Sequence, residues 1–108
     1  MINTTELRIG NWVQDEEEDG DIMYVYSIYP YGVELSTDES GADDLDYGYR
    51  DIFGIPLTTE FLVKNGYDLI SRIDGAFNVG DGIKPIKFVH QLQNIHHAIT
   101  GEELNIIW

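Results

Sequence analysis

Ile22-Met23-Tyr24-Val25-Tyr26-Ser27-Ile28-Tyr29 decides the fold. β-Branched and aromatic side chains fill it, the composition that suits a pleated, half-covered surface. Turn chemistry closes it on both sides, Gly20 before it and Pro30-Tyr31-Gly32 after it. Strand alternation puts Tyr24, Tyr26 and Ile28 on one face and Met23, Val25, Ser27 and Tyr29 on the other, so both faces are at least partly covered. Downstream, Val33-Glu34-Leu35-Ser36-Thr37 alternates again and should pair with it antiparallel. Upstream, Leu7-Arg8-Ile9-Gly10-Asn11-Trp12-Val13-Gln14 alternates around a Gly-Asn interruption, the mark of a strand with a bulge or bend. The acidic run from Asp15 to Asp21 is then a hairpin loop.

Further along, residues 38–48 are acidic and glycine-bearing with Leu45 the one large aliphatic, which reads as a mobile loop. Residues 49–57 return as a short extended segment, with Pro56 favouring a strand end. Thr58 can cap the turn that follows and Lys64-Asn65-Gly66 provides a stop, giving a helix over 59–65 that buries Phe61 and Leu62. Residues 67–73 and 76–79 read as a hairpin around Asp74-Gly75. Phe88, Leu92, Ile95 and Ile99 form the stripe of an amphipathic helix over 86–98, ended by Gly101. The apolar tail Leu104 to Trp108 reads as a last, docked strand.

No repeat and no linker interrupts this order, so the expectation is one domain, residues 1–108. Its class is α+β: a small antiparallel sheet with two helices packed on it. An SH3-like barrel is the closure that short hairpin-linked strands would reach. With 108 residues, 43% of them apolar, a hydrophobic core can form without metal or disulfide staples. Seven Tyr, four Phe and two Trp argue against disorder. The chain has no cysteine, which removes disulfides, thiolate metal sites and cysteine nucleophiles. The start lacks a basic and apolar leader, and no apolar run reaches membrane-spanning length, so a cytoplasmic protein with no membrane partner is expected.

Charge is the strongest compositional signal. Twenty acidic side chains face six basic ones, for a net charge of −14. Between Asp15 and Asp51 lie thirteen acids against the single base Arg50, while residues 82–101 hold two lysines and three histidines and no acid. Such a chain repels phosphate backbones, so direct nucleic-acid binding is not expected. The candidate acidic surface is Asp15, Glu16, Glu17, Glu18, Asp19, Asp21, Asp38, Glu39, Asp43, Asp44 and Asp46. It would attract a basic protein partner, with an association rate that falls as salt rises. The competing account is a set of solvated loops kept acidic for solubility. A second candidate surface is aromatic, formed by Tyr24, Tyr26, Tyr29 and Tyr31, because tyrosine supplies contact area at low entropic cost.

Catalytic and metal patterns are poorly represented. The 15–20 loop mimics the start of an EF-hand, but its twelfth position is Tyr26 where a bidentate Glu is needed. His90, His96 and His97 share the second helix at spacings that do not converge on one metal ion; a polar helix flank explains them better. Gly80-Asp81-Gly82 lacks the context of a phosphate cradle, and no serine lies in a nucleophile elbow. No catalytic residue, resident metal or cofactor is therefore assigned.

Three blocks carry a resemblance. They are Thr5-Glu6-Leu7-Arg8-Ile9-Gly10-Asn11-Trp12-Val13; Ile55-Pro56-Leu57-Thr58-Thr59-Glu60-Phe61-Leu62 with Gly66-Tyr67; and Val89-His90-Gln91-Leu92-Gln93-Asn94 followed by Thr100-Gly101-Glu102-Glu103-Leu104. Together they resemble a family of short proteins of phages, prophages and mobile elements of gut bacteria, to which no activity attaches. The resemblance implies a bacterial or phage-infected cytoplasm. Both acidic loops fall outside the matching blocks. Gln91, Gln93 and Asn94 are read as structural amides that bond neighbouring loops.

The leading expectation is thus a noncatalytic, acidic protein-interaction module of phage or mobile-element origin. A sharper version has the carboxylates imitate the phosphates of DNA and block a basic nucleic-acid-binding protein. Two rivals are a small metal-dependent enzyme built on the histidines and loop carboxylates, and a homo-oligomer paired through the 104–108 tail or the 88–99 stripe.

Overall fold

A computed structural model describes residues 2–18, 20–67, 71–73, 76–78 and 84–108. The Asp74-Gly75 turn, Gly80-Asp81-Gly82 and Asp19 lie outside the described residues. The chain forms an α+β structure in two compact units, Met1–Ile55 and Pro56–Trp108.

The first unit is an antiparallel meander of four strands in the order β1-β2-β3-β4: Trp12–Gln14, Ile22–Tyr29, Gly32–Ser36 and Leu45–Gly48. Its core is Ile2, Val13, Met23, Val25, Val33, Leu35 and Ile52, with Leu7, Tyr47 and Tyr49 packed against it. Gly10 supplies the expected bend, with φ of 100°. There its N–H donates to the Val25 carbonyl at 3.0 Å, and Val25 N–H donates to the Asn11 carbonyl at 2.9 Å.

Two expectations change here. Residues 45–48, read as loop, form β4, paired with β3 from Gly32 opposite Gly48 to Leu35 opposite Leu45. The pairing partner supplies what local propensity withholds from an Asp- and Gly-bearing strand. Residues 49–57, read as extended throughout, begin instead with a 3-10 turn, Tyr49–Asp51. Beyond that turn the chain returns to the outer edge of β1, where Phe53 and Gln14 exchange two backbone hydrogen bonds, each 2.9 Å. No pairing joins β1 to β4 among the described residues, so the sheet is open between its named strands.

A third change concerns faces. Register in the β2–β3 pair slips between Val25 and Ser27, so Val25 opposes Leu35 whereas Ile28 opposes Val33. Tyr26 is the extra residue of a β-bulge, and beyond it each side chain switches face. Tyr24, Ser27 and Tyr29 therefore share one side with Glu34. Ile28 joins Met23 and Val25 on the other.

The second unit contains both helices: α1, Thr59–Lys64, and α2, Val89–Thr100. Phe61 N–H donates to Thr58 Oγ1 at 3.1 Å, the predicted cap, and Gly66 leaves the helix in the left-handed region. At the start of α2, Gln91 Oε1 accepts the Lys87 and Phe88 N–H groups at 2.7 and 3.0 Å. A short antiparallel pair, β5 (Ser71–Ile73) with β6 (Ala76–Asn78), is extended by bridges from Phe77 to Ile86 and from Phe88 to Pro56. Leu57, Leu62, Phe77, Ile86, Val89 and Leu92 are buried, and so are the polar side chains His90 and Gln93. The predicted stripe of α2 is thus rotated toward its first turns: Ile99, counted into it, is 66% exposed.

The 104–108 tail is not a strand. It docks instead through Asn65, whose amide accepts Ile107 N–H at 2.8 Å and donates to the Ile107 carbonyl at 3.0 Å, replacing one rung of a ladder with a side chain. The Trp108 ring packs on Phe61 with centroids 5.6 Å apart. No described helix is long and apolar enough to cross a membrane.

Candidate functional site: an acidic end and a tyrosine end

In an up-and-down meander, successive connections leave opposite ends of the sheet. The β1–β2 loop, residues 15–21, and the β3–β4 loop, residues 37–44, therefore emerge at the same end. That end carries Asp15, Glu16, Glu17, Glu18, Asp21, Asp38, Glu39, Asp43 and Asp44, all exposed except the half-buried Asp15, and no base lies in either loop. Of the remaining predicted acids, Asp46 is exposed on β4, opposite Glu34 rather than at the loop end.

Three of these carboxylates shape their own loops. Asp15 accepts Asp21 N–H at 2.8 Å and Asp38 accepts the Ser40 N–H and hydroxyl at 2.9 and 2.6 Å. Asp43 spans its loop, accepting Thr37 Oγ1–H at 2.6 Å and Thr37 N–H at 3.1 Å. The Thr37 hydroxyl and then the Thr37 N–H stabilise its ionised form and hold the carboxyl below the usual carboxylate value. Gly41, at φ +70°, lets the same loop close onto the Tyr26 ring, where any Cβ would collide. Glu16, Glu17, Glu18, Glu39 and Asp44 project outward as exposed charge.

The opposite end is aromatic. A short reversal at residues 30–31 brings Tyr29 and Tyr31 into a stack with centroids 5.6 Å apart and planes 10° apart. Tyr29 Oη–H donates to Glu34 Oε1, and Tyr49 Oη–H donates to the Tyr29 carbonyl. Tyr31 is 78% exposed. Tyr29, Tyr31, Tyr47 and Asp46 line a cavity of about 120 Å³ there, with Gly32, Val33 and Gly48. The four predicted tyrosines are thus not one surface. Tyr24 packs edge-on against Trp12 at 5.2 Å, Tyr26 covers the acidic loop, and only Tyr29 and Tyr31 share the cavity. Tyr47 was missed; the alternation Leu45-Asp46-Tyr47-Gly48 was its available signal.

In the second unit the histidines diverge. His90 is fully buried and stacked on Phe88 at 5.8 Å, contrary to the polar-flank expectation. His96 Nδ1 shares a 2.7 Å hydrogen bond with Tyr67 Oη, whose pKa is raised by burial, and His97 is exposed. No group of three or more potential metal ligands converges among the described residues. Comparison with protein-family models, curated proteins and solved structures finds no match.

Proposed function

We propose that the chain is a noncatalytic interaction module of phage or mobile-element origin that engages a basic protein through the acidic end of its first unit. The observation that carries this reading is the convergence of nine described carboxylates on two loops at one end of a rigidly paired sheet. Residues 1–55 hold fourteen acids against two bases, whereas residues 56–108 hold six against four. A field so one-sided steers a cationic partner toward that end and weakens within a Debye length, about 8 Å at physiological salt. The order of four meander strands, a 3-10 turn and a fifth segment on the outer edge of β1 supports an SH3-like barrel as the scaffold.

The test is affinity capture from host extract at low and high salt, with the triple variant E16Q/E17Q/E18Q beside the native chain. A basic partner that is lost both at high salt and with the variant is expected. Capture indifferent to both overturns the proposal. Adding duplex DNA to the captured complex tests the sharper version, in which the carboxylates stand in for phosphates. Displacement of the chain by DNA is the result that version requires.

A further inference from the structure

We propose that the cavity at the tyrosine end of the sheet binds a soft organic cation, a guanidinium or an alkylated ammonium group. Its lining includes Tyr29 and Tyr31, whose electron-rich rings stack, the Tyr47 position of β4, and one charged residue, the exposed Asp46. Ring faces attract cations through their quadrupole, most strongly those whose weak hydration makes desolvation cheap. The cavity, about 120 Å³, is well below the size that encloses a drug-sized ligand and suits a single side-chain head group.

Two further features point the same way. Asp46 and Glu34 sit directly opposite each other in the β3–β4 register, a like-charge pair that destabilises a sheet until a cation stands beside it. Glu34 in turn accepts a hydrogen bond from the Tyr29 hydroxyl, which fixes that ring and enriches it in electron density. Glycine lets the two strands close up beside the cavity: a Cβ on Gly32 would collide with the Tyr47 carbonyl oxygen. The site lies at the opposite end of the sheet from the acidic loops, and its occupancy does not depend on their role.

Matched probes separate charge from shape. Choline is titrated against its neutral carbon analogue 3,3-dimethylbutan-1-ol, and N-acetylarginine methylamide against the citrulline equivalent, at constant ionic strength, with backbone amide and tyrosine ring shifts followed by NMR. Saturable shifts at Tyr31, Tyr47 and Asp46 are expected for at least one cation, roughly tenfold tighter than for its neutral partner. Tyr31→Ala should weaken the site about fivefold or more, while Tyr31→Phe, which keeps the ring face, and E16Q/E17Q/E18Q should leave it intact. Tyr31 is mostly exposed, so its truncation does not threaten the fold. Equal binding of charged and neutral probes, shifts confined to residues 15–21 and 37–44, or unchanged binding by Tyr31→Ala would each overturn the assignment.

Discussion

Where β1 runs into β2 and β3 into β4, the first unit ends in two long loops whose carboxylates stand in water. Where β2 turns into β3 and β4 runs into the 3-10 turn, it ends in short reversals crowded with tyrosine. The long connections need hydrogen bonds that the sheet does not supply, and Asp15, Asp38 and Asp43 provide them from their own side chains. At the short connections tyrosine hydroxyls do the bonding, Tyr49 to the Tyr29 carbonyl and Tyr29 to Glu34, and the Tyr29 and Tyr31 rings stack. Like side chains thus serve different ends according to loop length: at one end acids order solvated loops, and at the other Asp46 lines a cavity beside Tyr29 and Tyr31.

The largest expected effect tests whether one core supports both ends. Leu35 is fully buried in the middle of the meander, and Leu35→Ala should cost about 2–5 kcal/mol. Chemical denaturation followed at Tyr26 and at Tyr31 should report one shared transition shift. Separate transitions would break the comparison, because the ends would then be held by different packing. Next comes Gly41→Ala, which combines a left-handed backbone with a collision against the Tyr26 ring. It should lower stability by about 1–3 kcal/mol and perturb the acidic end while leaving the Tyr29–Tyr31 stack unchanged in NMR shifts.

Smaller effects sharpen the contrast between shaping and projecting acids. E16Q/E17Q/E18Q should move stability by no more than about 0.5 kcal/mol, read from the urea midpoint, since these side chains are exposed and like-charged. The smallest effect is the pH response of Asp43. Its carboxyl is held below the ordinary value of 3.8, so its contribution is present above that value and is lost as pH falls through the lower folded-state value. The stability difference between the native chain and Asp43→Asn should therefore be constant near neutrality and vanish in strong acid. A difference that grows on acidification would show that Thr37 does not hold the ionised form.

How much was legible follows residue by residue. The β2 strand, the Thr58 cap and the Gly66 and Gly101 helix stops were readable because each is written in a local run of residues with one strongly favoured backbone. The acidic loops were readable as charge. β4 was not, because Leu45-Asp46-Tyr47-Gly48 becomes a strand only through its partner β3. The tyrosine cavity was missed for the same cause: Tyr47 lies far along the chain from Tyr29 and reaches it only across the sheet. The tail was read as a strand from its β-branched residues, whereas Asn65 takes the place of a pairing strand.

The amino-acid order by itself determined the α+β class, the β2–β3 hairpin, the Thr58 cap, the helix stops and the imbalance of charge, since all of these depend on neighbours within a few positions. Tertiary structure alone decided which faces those side chains occupy. One inserted residue, Tyr26, reverses the alternation of everything after it in β2. A bulge is a property of two paired strands, and only their register could show that Tyr24 and Tyr29 share a side.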